Sequence, residues 1–274
     1  MCGLTPHSSR APTAAHLAVA AVQCIISRAG QAPACWVRLS SNARPHIHMG
    51  RVMKHCLLAL AVLFNTSYAI AEVLKPERRV EGTVVLSAKD PSARIAVPAR
   101  ATYVGAVRFF LFRAADCEIH VFVEADASKK VERIYWVQFE AYLPEHPKLV
   151  YSVHPAYSPM TLGGLPFYQR ARFGQSTDPI EPGSDAERVF SMLKAAGYTV
   201  PAETVNVTYK HFLDATMRKE LMLIVIEDMS TTGVTFAELV KGDQVTPAWA
   251  SVAAKLLGRE PKAFAVTLNA DVKR

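Results

Sequence analysis

The densest group of chemically active side chains in the sequence is Asp116-Cys117-Glu118-Ile119-His120. A Cys and a His three residues apart are the types from which a thiolate nucleophile and its base are built. The neighbouring residues are β-branched and aromatic and read as a strand, on which successive side chains point to opposite faces. Cys117 then shares a face with Ile119 and Val121, and His120 points the other way. The two cannot meet on one strand, so Cys117 reads as a small core residue.

A hairpin through the same residues offers a second candidate. If 117–125 pairs with 131–143 across the turn 126–130, with Ala125 opposite Val131, then Cys117, Ile119, Val121 and Val123 oppose Phe139, Val137, Tyr135 and Arg133. The reverse face then carries Glu118 against Gln138, His120 against Trp136 and Phe122 against Ile134, with Glu140 beside them. A slip of one residue would mix the two sets, which favours this register. The expected binding set is Glu118, His120, Phe122, Ile134, Trp136, Gln138 and Glu140, with His120 and Trp136 in contact at a directly paired position about 4.5–5.5 Å apart at Cβ. On a concave surface it would form a site of apolar walls with a few converging polar groups. Facing solvent, the same residues would be an aromatic cross-strand pair and nothing more.

Other chemistries find less support. His120, His146, His154 and His211 form no H-x-x-x-H or Cys/His pair at zinc-ligand spacing, so no metal site is expected. His146 and His154 each neighbour Pro in loops, and His211 lies on a strand face with Tyr209 and Leu213, as a hydrogen-bonded core histidine would. Gly163-Gly164 lacks the G-x-G-x-x-G spacing of a phosphate cradle and reads as a hairpin turn. No G-x-S-x-G surrounds Ser152, Ser158 or Ser176, and no cofactor motif is present. Asn206-Val-Thr208 has the form of a glycosylation acceptor but falls inside a strand pattern.

These residues need elements to position them. Short apolar runs rich in Val, Ile and aromatics at 80–87, 93–98, 101–113, 117–125 and 131–143 read as strands, as do 148–153, the pair flanking Gly163-Gly164, 203–213 and 219–229. No helical pattern separates the early strands, which predicts an antiparallel meander rather than βαβ units. Residues 221–226 are apolar on both faces, so both sides of the sheet there must be covered. Ser184-Asp-Ala-Glu187 is a capping-box pattern followed by the helical stripe Ala186, Val189, Phe190 and Leu193 and by Gly197, predicting a helix over 185–196. A short helix is expected near 235–238, and another over 247–258 with Thr246 as cap, Pro247 first and Gly258 at its end.

Location follows from "MGRVMKHCLLALAVLFNTSYAIAEV", residues 49–73, which has a basic start, an apolar run and the small-x-small Ala69-Ile70-Ala71. It has the form of a bacterial-type secretory signal with cleavage between Ala71 and Glu72. The run is shorter than the roughly 20 residues that span a bilayer, and no later segment is long and apolar enough. Residues 1–48 are rich in Ala, Ser and Arg and contain no acid. A transit peptide ahead of an intact export signal makes little physical sense, so they read as upstream sequence, with initiation at Met49 or Met53.

Removing residues 1–71 changes the composition. The net charge of +7 falls nearly to zero, because six of the 31 Lys and Arg precede Glu72 while all 24 acids lie from Glu72 onward. That excludes a broad nucleic-acid surface, and no basic run remains to provide one. Of five cysteines only Cys117 is left, so an exported chain would have no internal disulfide and must be held by burial. The expected protein is a single exported α+β domain over 72–274, a curved antiparallel β-sheet (meander) backed by two or three helices, in the periplasm or medium. The expected role is a non-catalytic binding protein for a small apolar or amphipathic molecule. The alternative is a hydrolase-like enzyme with Glu118, His120 and Glu140 as acid/base groups. Nothing in the sequence speaks to oligomeric state.

Overall fold

The computed structural model describes residues 74–269. The upstream extension, the export signal and its cleavage point lie outside the described residues. The strands in chain order are β1 (Arg79–Glu81), β2 (Val84–Ser87), β3 (Ala93–Ala96), β4 (Thr102–Leu111), β5 (Ala115–Ala125), β6 (Val131–Tyr142), β7 (Ser158–Leu162), β8 (Leu165–Gln175), β9 (Glu203–Phe212), β10 (Lys219–Asp228), β11 (Val240–Lys241), β12 (Gln244–Val245) and β13 (Ala265–Leu268). The helices are α1 (Asp185–Ala195), α2 (Phe236–Leu239) and α3 (Ala248–Arg259). This is an α+β fold of mainly antiparallel sheet.

Seven strands form the principal sheet in the order β4-β5-β6-β10-β9-β8-β7, two meanders joined where β6 meets β10. Its first face is covered by a second sheet of order β1-β2-β3-β13 and by α3. The sequence did not announce that second sheet. Residues 80–87 read as one strand, but Gly82, at φ +59°, turns the chain so that Arg79–Glu81 folds back on Val84–Leu86. β13 then pairs with β3 from the far end of the chain. At the β7–β8 hairpin, a Cβ on Gly163 would stand 2.2 Å from the Val266 carbonyl oxygen, so only glycine lets that turn approach β13.

α1 lies on the opposite, second face, where Val189 and Leu193 pack with Phe109, Ile119, Val121 and Trp136. The two longer helices therefore cover different sides of the sheet, which is why β10 is apolar on both. Ser184 Oγ accepts from the Glu187 amide, as the capping pattern predicts, but the Glu187 carboxylate reaches back to the Gly183 amide, one residue earlier than expected. α3 begins at Ala248 after Pro247, and the Thr246 hydroxyl donates to the Glu238 carbonyl instead of capping the helix.

Residues 148–153 are not a strand. Their neighbourhood is held by the Arg218 guanidinium, which donates to the carbonyls of Tyr142, Leu143, His146 and Leu149. One planar fork satisfies backbone acceptors that a ladder would otherwise have paired. The resulting loop brings Tyr151 and Tyr157 to the second face of the sheet.

Candidate functional site

The β5–β6 register decides which side chains meet. Ala125 does oppose Val131, as the turn predicts, but Glu132 is bulged out and Glu124 pairs with Arg133. Beyond the bulge every partner is displaced by one: Glu118 opposes Phe139, His120 opposes Val137 and Phe122 opposes Tyr135. Cys117, Ile119, Val121 and Val123 oppose Glu140, Gln138, Trp136 and Ile134. The Val131 amide donates to the Thr199 carbonyl, so the first residue of β6 is engaged outside the hairpin where the bulge begins.

The expected contact between His120 and Trp136 is therefore absent, because the two lie on opposite faces. The seven expected binding residues divide: Glu118, His120 and Phe122 look into the first face, and Ile134, Trp136, Gln138 and Glu140 into the second. The same split prevents Glu118, His120 and Glu140 from acting as one acid/base set. Cys117 is fully buried and its thiol is pushed well up by that burial, in keeping with a core role. His211 is also a core histidine, its Nδ1 donating to the Pro166 carbonyl at 2.7 Å.

On the first face Glu118 is a clamp. Its carboxylate accepts the amides of Glu77 (2.9 Å) and Arg78 (2.8 Å), the Arg78 guanidinium (3.1 Å) and His120 Nε2 (2.9 Å). Burial works against the charge, but the four donors outweigh it and hold the carboxyl down at about 2. His120 Nδ1 lies 3.3 Å from the Tyr103 hydroxyl, and the Arg78 guanidinium stacks 4.0 Å from the Phe139 ring centre. The chain Tyr103–His120–Glu118 has the outline of a relay. Three of the four Glu118 donors, however, come from Glu77 and Arg78 and tie that segment to the sheet, so its evident work is structural. Arg78 and Tyr103 were not among the expected residues, because their partners are 17 to 40 positions away in sequence.

The second face is different in character. Trp136, Met222, Ile224 and Ile226 keep 4–8 % of their surface exposed, whereas Leu221, Leu223 and Val225, on the sealed first face, keep 0–1 %. Trp136 Nε1 donates to Gln138 Oε1 (2.8 Å), Gln138 Nε2 donates to Glu140 Oε2 (2.7 Å), and the Tyr151 hydroxyl donates to Glu140 Oε1 (2.9 Å). These groups lie in rows across the strands: Glu140–Glu220–Phe212, Gln138–Met222–Lys210–Tyr168, Trp136–Ile224–Thr208–Arg170 and Ile134–Ile226–Asn206–Arg172. Lys210 pairs with Glu220 at 3.2 Å, and Asp185, at the start of α1, stands close enough to Glu140 to act on its charge.

No protein-family model matches the chain, and neither a curated protein nor a solved structure matches it. The functional reading therefore rests on geometry. Among the described residues, no three His, Cys, Asp or Glu side chains gather as a metal site. A cavity of about 230 Å³ lies between α3 and the turn at Thr231-Thr232, lined also by Arg259, and contains none of the expected binding residues.

Glu140 supplies a pH signature of the second face. Burial first, then the charges of Glu220 and Asp185, push its carboxyl up from 4.5 to about 8. The folded protein thus keeps a proton that the unfolded chain has lost above pH 4.5, and stability falls as pH rises from about 4.5 to 8. Glu140→Gln, which keeps a group able to bond both Gln138 and Tyr151, is expected to be near neutral at pH 5. At pH 8 it should be more stable than the wild type, with a difference growing by at most about 1.4 kcal/mol per pH unit. Urea unfolding at the two pH values measures it, and an unchanged difference would show that Glu140 is ionised in the fold.

Proposed function

We propose that the protein is an exported, non-catalytic binding protein that holds a small amphipathic molecule on the second face of the seven-stranded sheet. The observation that carries this reading is the strip of Trp136, Met222, Ile224 and Ile226, which is packed beside α1 yet keeps 4–8 % of its surface exposed and is bordered by the buried polar side chains of Gln138, Glu140 and Thr208. An apolar floor with a few fixed polar groups at its edge is the usual make-up of a small-molecule site. α1 forms one wall and the loop carrying Tyr151 and Tyr157 another. In this reading Ile134, Trp136, Gln138 and Glu140 belong to the site, and Glu118, His120 and Phe122 hold the scaffold beneath it. The principal sheet curves around the ligand, and residues 72–274 act as one domain.

Export is supported by the signal pattern at 49–71 and by a remaining chain with one cysteine and nearly balanced charge. N-terminal sequencing of secreted protein is expected to begin at Glu72; a product retaining residues 1–48 would contradict it. Binding is tested by thermal unfolding with octyl glucoside, a neutral amphiphile, below its micellar concentration. A ligand at a hundredfold excess over its Kd adds about 2.7 kcal/mol, so the melting temperature should rise measurably. No rise with neutral, anionic or cationic octyl compounds would contradict the binding role.

A further inference from the structure

Polarity changes steadily across the second face. Along one row the side chains run Trp136, Ile224, Thr208, Arg170, and along the next Ile134, Ile226, Asn206, Arg172. Strands are about 4.8 Å apart, so apolar floor gives way to two guanidinium groups within roughly 15 Å, about the length of a medium alkyl chain.

The two arginines stand together without an acidic partner among the described residues. They project from the same face of β8, two residues apart, and so stand within about 7 Å of each other. Among the described residues neither has a carboxylate within 4 Å, although fourteen other pairs of side chains do form such contacts. Arg170 instead lies 5.9 Å from the Tyr157 ring centre. Arg172 Nη2 reaches the Thr208 hydroxyl at a long 3.5 Å, while its Nε is sealed from solvent with no partner. Asn206 Oδ1, on the strand directly opposite, is also sealed and unpartnered; turned over, the same amide offers N–H donors to an anion. Burial, and then the like charge of Arg170, lowers the Arg172 pKa to about 10, so the folded protein holds this cation at a cost. A bound anion would remove that cost. The guanidinium fork suits the two oxygens of a carboxylate or phosphate in particular.

We propose that Arg170 and Arg172 form the anion-binding end of the second-face site, so that the ligand is an amphiphile with a carboxylate or phosphate head and an apolar chain running over Ile224 toward Trp136. This rests on the binding role proposed above and adds the chemical class of ligand and its direction. Lys210 is not part of the head site, being neutralised by Glu220. Thr208 sits at the junction of head and chain.

Calorimetric titration of the purified protein with octanoate, octyl phosphate, octyl glucoside and octylammonium, each below its micellar concentration, tests this. The anionic probes are expected to bind at least about tenfold more tightly than octyl glucoside, with octylammonium weakest. The preference between octanoate and octyl phosphate identifies the head. Arg172→Gln and Arg170→Gln are each expected to reduce the anionic advantage by about tenfold and leave octyl glucoside affinity unchanged. Equal affinity for octanoate, octyl phosphate and octyl glucoside would overturn the anionic head and leave the binding role intact. An anion preference that survives both substitutions would overturn its location. No binding of any probe would overturn the site itself. Because two separate arginines are tested, a variant that fails to fold does not remove the outcome.

Discussion

Trp136→Ala is expected to destabilise the protein by about 3–5 kcal/mol, the cost of opening a cavity the size of an indole in a packed interior. Trp136 is 4 % exposed and packs in one cluster with Val121, Ile134, Val189, Leu193 and Ile224, so α1 and the sheet both lose contacts. The substitution also leaves Gln138 Oε1 without its indole donor. Trp136→Phe separates the two effects: it keeps an aromatic ring but not the N–H, and should cost less, about 1–3 kcal/mol, from the buried acceptor. Chemical denaturation of the two variants measures the difference. A loss under 1 kcal/mol for Trp136→Ala would place the indole in solvent and contradict the packing of α1 over it.

Glu118→Gln is expected to be as damaging for a different reason. The Glu118 side chain is 1 % exposed and Arg78 10 %, and removing one member of a buried pair leaves the other charge uncompensated, at a cost of about 3–5 kcal/mol. The amides of Glu77 and Arg78 and His120 Nε2 also lose their charged acceptor. The pH dependence identifies the cause. The folded-state value is about 2 and the ordinary value 4.5, so the wild type keeps this contribution above about pH 4.5 and loses it progressively as pH falls toward 2. Glu118→Gln should flatten the acid limb of the stability curve between those values. A variant that loses stability yet retains the full acid limb would assign the limb to other carboxylates.

The sequence revealed those elements whose signals are local. α1 follows from Ser184, Glu187 and the stripe Val189–Leu193, all within one short window, and the β7–β8 hairpin from Gly163-Gly164. β13 gave no such signal, because Ala265–Leu268 becomes a strand only by pairing with Ala93–Ala96, about 170 residues earlier. The candidate site failed at one residue. Alternation separates the faces of a strand, but Glu132 is bulged and both candidate rows of β6 are largely apolar, so either register satisfies the pattern. That single displacement moves Trp136 and Gln138 away from His120 and Glu118. Arg170 and Arg172 were hidden for the opposite reason. An alternating R-A-R in a strand reads as a solvated face, and only the pairing of β8 with β9 places it beside Thr208 and Asn206 on the same face as Trp136.

The central claim, that a small amphiphile lies on the second face, is tested most directly by side-chain NMR of the protein titrated with octyl glucoside and octanoate. The Trp136 indole N–H and the methyl groups of Met222 and Ile224 face the proposed site, whereas Leu221 and Leu223 face the sealed side and Trp249, on α3, packs on Phe173. Saturable shifts at Trp136, Met222 and Ile224, with Leu221, Leu223 and Trp249 unmoved, are the predicted result. Shifts confined to Trp249 or the leucines, or none at saturating probe, would contradict it.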